Sequence, residues 1–542
     1  MSDVNLRIVL VTIHYAPCPE AVPLAAACIA SALKADAKAR AMELDIVLLE
    51  AFASDDARKI ADRIAATKAN LVGFSLYLWN RDLSVAVARR VRALLQDALL
   101  FAGGADATAR PGALSEVDGG PFDFIVMGEG EAATVRAIQT LAVGGELGTS
   151  LRAATDITSL PSPWLDGTLD ARSRSGVLWE LARGCPYACT YCYESKGERK
   201  VRYFSDERIL GELEAFGKAK PDSVFVLDPT FNADKERARL MLSRIAELAP
   251  DTHWHFEIRA ESLDRDLAQR FSKLGASLQI GLQSAKPEIV RKVARKLDKQ
   301  DFTTKIGLLN DAGAVFGLDL IYGLPGDDLA GFRYSLDYAL SLYPNNLDMF
   351  RLAVLPGTVL ADQAAEFGLD YDGEAPYLVR STPSFSAADL ANAERLSAAA
   401  NIFYNRGRAV PWFNQVLHPL GSKGAEFLEG FAAFLDRQPR PLYDPKDPVG
   451  IERLQLAYLD LRYEEAELDF VLPIVWDVVR FHGAWARALA EGIATDMDCS
   501  YDPDEALSPH AMDLEDFASL ARMRPCHLRV ESGKHEPRVS VS

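Results

Sequence analysis

The chain has 542 residues, enough for roughly two to four domains, because a single hydrophobic core stops growing well below that length. It carries 59 Lys and Arg against 77 Asp and Glu, a formal charge of −18, and this balance argues against a nucleic-acid or anionic-membrane partner, since phosphates are held by clustered basic residues. Hydrophobic residues at 49% and charged residues at 25% describe a soluble globular protein, no stretch approaches the ~20 apolar residues of a bilayer span, and seven cysteines, three of them crowded together, point to a reducing, cytoplasmic setting.

The run Ile8-Val9-Leu10-Val11 has no basic leader or small-residue cleavage site beside it and reads as a buried first strand. From there to about residue 145 apolar runs alternate with helical patterns, with strands predicted at 6–12, 44–50, 71–75, 99–102 and 124–127 and helices at 23–33, 55–66 and 83–96. Such a βαβ rhythm favours a parallel sheet covered on both faces, whose ligands sit beyond the carboxyl ends of the strands. The loops at those ends read Thr12-Ile13-His14, Ser75-Leu76-Tyr77-Leu78-Trp79-Asn80-Arg81, Gly103-Gly104-Ala105-Asp106 and Gly128-Glu129-Gly130-Glu131. Each alone is a tight turn. Four in strand order, with glycines that let backbone approach a bulky ligand, make His14, Ser75, Tyr77, Trp79, Asn80, Arg81, Gly103, Gly104, Gly128, Glu129, Gly130 and Glu131 candidate binding residues.

A turn-rich linker at 151–175 leads into a second βα series, with strands predicted at 176–182, 223–227, 253–259, 277–282, 315–322 and 348–354 and helices at 206–218, 235–248, 264–274, 287–295 and 328–342. Directly after its first strand comes Arg183-Gly184-Cys185-Pro186-Tyr187-Ala188-Cys189-Thr190-Tyr191-Cys192. The C-x3-C-x2-C spacing supplies three thiolates, and a closed [4Fe–4S] site uses four, so one iron stays open. Cys189 and Cys192 alone could serve as half a zinc site or as a redox dithiol. Zinc wants a second pair, and Cys18, Cys28, Cys499 and Cys526 are scattered.

This loop resembles that of the radical SAM enzymes, in which the open iron chelates the amino and carboxylate groups of S-adenosylmethionine (SAM), and Tyr191 before the last cysteine fits the pattern. Residues from about 4 to 141 resemble the cobalamin-binding domain of B12-dependent radical SAM proteins, where Gly-Gly and Gly-Glu-Gly-Glu recur at strand ends. The resemblance implies an α/β protein: a Rossmann-like cobalamin-binding domain (1–150), a radical SAM partial (β/α)6 barrel (176–360) and a mainly helical C-terminal domain (361–542). It implies a [4Fe–4S] cluster on Cys185, Cys189 and Cys192, SAM held by Tyr191, Asp228, Arg259, Gln283, Ser284 and Arg295, and Glu257 and Tyr322 as catalytic candidates at the strand ends. His253, His255, Glu257 and Arg259 alternate along one strand and share a face, either lining the cavity or forming a surface charge ladder. One departure stands out: the Asp-x-His-x-x-Gly loop that supplies a histidine to cobalt in many B12 proteins is missing. His14 then either touches the corrin or fills its loop, and Arg81 or Trp79 is expected to block the lower cobalt face.

The implied activity is methylation of an unactivated carbon of a small natural-product or cofactor precursor through methylcobalamin and a 5′-deoxyadenosyl radical, with an external flavodoxin- or ferredoxin-type reductant. The alternatives are a cyclisation or rearrangement without methylation, polar methyl transfer without homolytic SAM cleavage, and a cofactor sensor. Beyond residue 360 the pattern turns helical, at 387–404, 424–434 and 454–461 for example, with Tyr377 and Trp412 as pocket or packing residues. The polar tail from Arg524 is predicted to fray.

Overall fold

The computed structural model describes residues 6–194, 199–438, 444, 447–508, 511–534 and 536–541. The first sheet contains strands β1 (Arg7–His14), β2 (Asp45–Phe52), β3 (Leu71–Ser75), β4 (Leu99–Gly103), β5 (Phe124–Val126) and β6 (Ser150–Leu151). They run parallel in the order β2-β1-β3-β4-β5-β6. Side chains of a strand alternate between its faces, so β1 feeds two cores. Val9, Val11 and Ile13 pack with Ile60, Ile64, Val87 and Val91 on one side. Ile8 and Leu10 pack with Leu33, Phe101, Phe124 and Ile138 on the other. Burial on both faces is why these strands read as continuous apolar runs rather than alternating ones. The strand order reverses between β1 and β3, and doubly wound sheets bind ligands at that reversal. The sixth strand lies at the edge of the segment predicted as linker, too short and polar to be seen in the sequence.

Two compact units divide the chain: Met1–Leu278 with Val293–Arg295 and Ala353–Val379, and Gln279–Lys292 with Lys296–Leu352 and Arg380–Ser542. In the first unit β7 (Gly176–Trp179), β10 (Ser223–Val226) and β11 (His253–Ile258) run parallel, Ser223 lying opposite both Gly176 and His253. The predicted strand at 176–182 is shorter than expected. After Trp179 the chain leaves the sheet, and a separate two-residue strand β8 (Ala182–Arg183) pairs antiparallel with β9 (Arg202–Tyr203), bracketing the cysteine loop. Strand β12 (Ser277–Gln283) begins in the first unit and ends in the second, where β13 (Val315–Tyr322) and β14 (Asn346–Arg351) run parallel with Gly317 opposite Asn346.

The second unit also holds the helices Lys299–Ala312, Leu329–Leu340, Ala387–Ala400, Gly424–Arg437, Pro448–Glu465 and Leu472–Ala490. The helix predicted at 387–404 changes pitch after Ala400 into a π-helical turn, Asn401–Arg406, which turns Phe403 into a ring cluster with Trp412, Phe413, Phe427 and Phe431. The tail departs from expectation. Strands β15 (Thr495–Cys499), β16 (Cys526–Glu531) and β17 (Arg538–Val541) form an antiparallel sheet. Leu528 and Val530 bury on Phe481, Ala484 and Ala488 of the preceding helix. His527 and Arg529 pair with Asp498 and Asp496 on the opposite face, and that charged face is why the segment reads as polar. Among the described residues no helix is long and apolar enough to cross a membrane.

Candidate cluster and corrin site

The cysteine loop is held by backbone hydrogen bonds. Thr190 N donates to Val293 O (3.1 Å), Leu360 N to Thr190 O (2.9 Å) and Cys192 N to Cys189 O (3.1 Å). Gly184 turns the chain out of β8 with φ +92°, a left-handed conformation that favours glycine. Cys185 and Cys189 are buried, Cys192 is half-buried, and none of the three is in a disulfide. Arg259 Nη2 donates to Cys189 Sγ at 3.3 Å while its guanidinium lies 3.9 Å from the Tyr187 ring centroid. A cation bonded to sulfur favours the thiolate, the form that ligates iron. Thr230 Oγ1 is 4.0 Å from Cys185 Sγ. Tyr191 hydrogen-bonds Arg295, and burial pushes its phenol well above the usual range.

Asp228 follows β10 with its carboxylate on the backbone leading to the loop: Oδ1 accepts from Leu181 N (2.9 Å) and Ala182 N (3.0 Å). Burial pushes this carboxyl up to about 7. Of the residues predicted to touch SAM, Asp228 therefore shapes the loop, Arg259 reaches a cysteine and Arg295 reaches Tyr191. Among the described residues no three His, Cys, Asp or Glu side chains converge on a single ion position. A mononuclear zinc site needs such convergence, whereas a cubane takes its thiolates on separate irons, so three cysteines outside any disulfide, spaced along one pinned loop beside a cation, fit the cluster.

At the reversal point between β1 and β3, Asn80 is a structural residue. Its Oδ1 accepts from Tyr77 N (2.8 Å), and its Nδ2 donates to Ile13 O and Ser75 O (both 3.0 Å), tying the two strand ends together. Tyr77 stacks on Trp79 with centroids 4.6 Å apart and planes 2° from parallel. Trp79 is 44% exposed and the neighbouring Leu78 36%, and Tyr15, just after β1, is 75% exposed, so apolar groups are presented at both strand ends. Arg81 is buried in an ion pair with Asp106. The other oxygen of Asp106 accepts from Tyr377 Oη at 2.8 Å, and Arg110 donates to Tyr377 Oη at 3.1 Å. Of the two residues expected to cover the corrin, Arg81 is thus engaged internally and Trp79 faces outward. His14 Nε2 lies 3.0 Å from Glu50, which also accepts from Arg174 at 2.7 Å. Gly104 has φ +99°, and a Cβ there would lie 2.5 Å from Leu76 O, so the neighbouring backbone alone requires glycine.

Gly128-Glu129-Gly130-Glu131 opens the helix Gly130–Ala142, and its carboxylates point at the arginines bracketing the cysteine loop. Arg183 Nη2 donates to the buried Glu131 at 2.7 Å, and the same guanidinium takes Glu180 in two bonds of 2.9 and 3.0 Å. Arg202 holds Glu129 through bonds of 2.6 and 3.2 Å. Sequence reasoning assigned both glutamates to the corrin and passed over Arg183, Arg202 and Glu180. The available signal was the arginine next to Gly184. Tyr193, also passed over, hydrogen-bonds Thr108, whose Oγ1 accepts from Gly128 N at 2.9 Å.

On β11 the expected alternation is present. Trp254, Phe256 and Ile258 are buried on one face, while Glu257 and His253 are exposed on the other with His255 half-buried. In the second unit Gln283 takes φ +69° with its Oε1 buried and unpartnered among the described residues, and Ser284 Oγ lies 3.2 Å from Ser335 Oγ. Tyr322 packs on Phe332 (centroids 5.2 Å), and burial pushes its phenol up to about 12. Trp412 belongs to the aromatic core, and Tyr377 to the Asp106 network.

A B12 binding domain matches residues 18–138 and the Radical SAM superfamily matches residues 179–339. The chain belongs to the B12-binding radical SAM proteins, whose cofactors are a [4Fe–4S] cluster, SAM and cobalamin. The cobalamin-dependent radical SAM methyltransferase TokK of Streptomyces tokunonensis is 26% identical over 353 residues, 58% of this chain and 51% of TokK, so the chain spans about half the length of the curated relatives it matches. In fold it is similar to the radical SAM methyltransferase TsrM of Kitasatospora setae with cobalamin and [4Fe–4S] cluster bound (TM-score 0.55, 17% identity, 68% of this chain and 78% of TsrM). It is also similar to the cobalamin-dependent SAM radical enzyme OxsB (TM-score 0.57, 13% identity, 86% of this chain and 81% of OxsB). At these identities the likeness to both structures is one of fold: an N-terminal B12-binding domain, a parallel-stranded radical SAM domain and a mainly helical C-terminal region.

Proposed function

We propose that the protein is a cobalamin-dependent radical SAM methyltransferase, acting on an unactivated carbon of a small natural-product or cofactor precursor and drawing electrons from an external flavodoxin- or ferredoxin-type donor in the cytoplasm. The observation that carries this reading is Arg183. One guanidinium, two residues before the first cluster cysteine, is held by a carboxylate from the B12-binding domain, so the methyl carrier's domain and the radical source's loop share one ionic frame.

When bound, the cluster supplies the electron that cleaves SAM and the corrin carries the methyl group, the difficult chemistry that cofactors bring to a protein scaffold. The chain's residues orient and shield. Cys185, Cys189 and Cys192 would hold the cluster, three ligands for four irons; Arg259 favours the Cys189 thiolate; Arg295 and Tyr191 stand beside the loop. Tyr15, Leu78 and Trp79 would supply apolar surface to a bound corrin and exclude water from it; an indole offers only an N–H donor and would not ligate a metal. Glu257 in the first unit and, by itself in the second, the protonated Tyr322 are the proposed acid–base residues. The test is anaerobic reconstitution with iron, sulfide and hydroxocobalamin, then product analysis with candidate small molecules. S-Adenosylhomocysteine together with 5′-deoxyadenosine is expected. S-Adenosylhomocysteine alone indicates polar transfer, deoxyadenosine alone a rearrangement, and neither a binding protein; each of these three overturns the radical methylation.

A further inference from the structure

We propose that Cys499 and Cys526 form a dithiol site that exchanges with low-molecular-weight disulfides and closes into a cross-strand disulfide. The two residues face one another in the register of β15 and β16. Directly opposed residues of an antiparallel pair lie with Cα atoms roughly 4.5 or 5.5 Å apart, depending on whether the pair is hydrogen-bonded, and both separations fall inside the roughly 4.4–6.8 Å window of natural disulfides. Opposed side chains leave the same face of a sheet. Here both cysteines join the cluster around Phe481, Ala484 and Leu528, Cys499 buried and Cys526 partly buried. Both are free thiols. Neither belongs to the cluster loop, and the proposal stands independently of the methyl transfer.

Access fixes the order of events. The half-buried Cys526 attacks one sulfur of a small disulfide, such as oxidised glutathione, releasing one small thiol and leaving a mixed disulfide on the protein. Cys499 then attacks the Cys526 sulfur, and the second small thiol departs. The two protein thiol protons go to the two leaving thiolates, so two protein thiols are oxidised and one small disulfide is reduced to two thiols. Burial, and then the Asp477 carboxylate, push the Cys499 thiol up to about 12, while burial together with Asp502 and Asp477 raises that of Cys526. Exchange starts from thiolate, so this pair reacts slowly. Closure ties the ends of segment 500–525, which carries the helices Pro503–Ala506 and Leu514–Leu520.

The experiment incubates the full-length, anaerobically purified chain with oxidised glutathione, alkylates residual thiols and maps tryptic peptides. Cys499 lies on peptide 488–522 and Cys526 on peptide 523–529, apart from all other cysteines. The expected result is loss of the two separately alkylated peptides and gain of one linked pair. In C499S, a glutathione adduct at Cys526 should accumulate because no thiol resolves it. The wild-type readout needs no variant to fold. Separately alkylated peptides after prolonged exposure overturn the site, and an adduct on Cys499 in C526S with none on Cys526 in C499S overturns the order of attack.

Discussion

Glu131→Gln tests whether the B12-binding domain frames the cysteine loop through Arg183. Glu131 is 4% exposed and its carboxylate takes Arg183 at 2.7 Å. Breaking a buried ion pair costs about 3–5 kcal/mol when the remaining charge is left alone. Arg183 keeps Glu180 at 2.9 Å, so the loss should fall to about 1–3 kcal/mol, the cost of one unmade charge-assisted bond. Burial opposes ionisation of Glu131, but Arg183 outweighs it and holds the carboxyl below its ordinary 4.5. A carboxyl depressed in the folded state contributes stability that is present above its unfolded value and lost as pH falls through the folded one. The gap between wild type and variant should therefore be flat above about pH 5 and shrink in acid. Anaerobic urea titrations at several pH values measure it, with Glu214→Gln, at an exposed pair with Lys218, as the control. A Glu131→Gln cost no larger than the control's refutes the framing role.

Asp228→Asn should remove a pH dependence of the opposite sign. A carboxyl raised from 3.8 to about 7 contributes stability below its unfolded value that is lost as pH rises through about 7, so wild type should weaken relative to the variant in urea titrations between pH 4 and 8, at most by about 4 kcal/mol. Equal midpoints throughout would sink that account. Arg259→Gln should retain the cluster but move its reduction potential negative by tens of millivolts, about what one charge-assisted hydrogen bond supplies for a one-electron couple; an EPR-monitored redox titration reads this, and an unmoved potential refutes it. Trp79→Ala should weaken hydroxocobalamin binding by roughly tenfold, about 1.4 kcal/mol of lost ring contact, read by equilibrium dialysis, whereas unchanged binding would place the corrin elsewhere.

The parts of the molecule legible in the sequence are those written locally. The three cysteines occur within one short loop, and the buried parallel strands announce themselves as runs of Val, Ile and Leu. The partners of Glu129 and Glu131 were not legible, since Arg202 and Arg183 lie 73 and 52 residues away and nothing in either segment names the other. Asn80 and Arg81 likewise read as ligand contacts, and only the fold shows Asn80 bonding to the ends of β1 and β3 and Arg81 to Asp106. The C-terminal strands hid behind a charged face, within a region whose pattern reads as helical and which does hold the helix Leu472–Ala490.

A methyl group added at Gly104 would lie 2.5 Å from the carbonyl oxygen of Leu76. Because that collision involves main chain from the adjacent strand end, the position is closed to every larger residue by the sheet itself. A descendant that abandoned its vitamin would still need glycine there. The second glycine of the Gly-Gly pair is thus a marker of architecture, and counting it as proof of corrin uptake over-assigns.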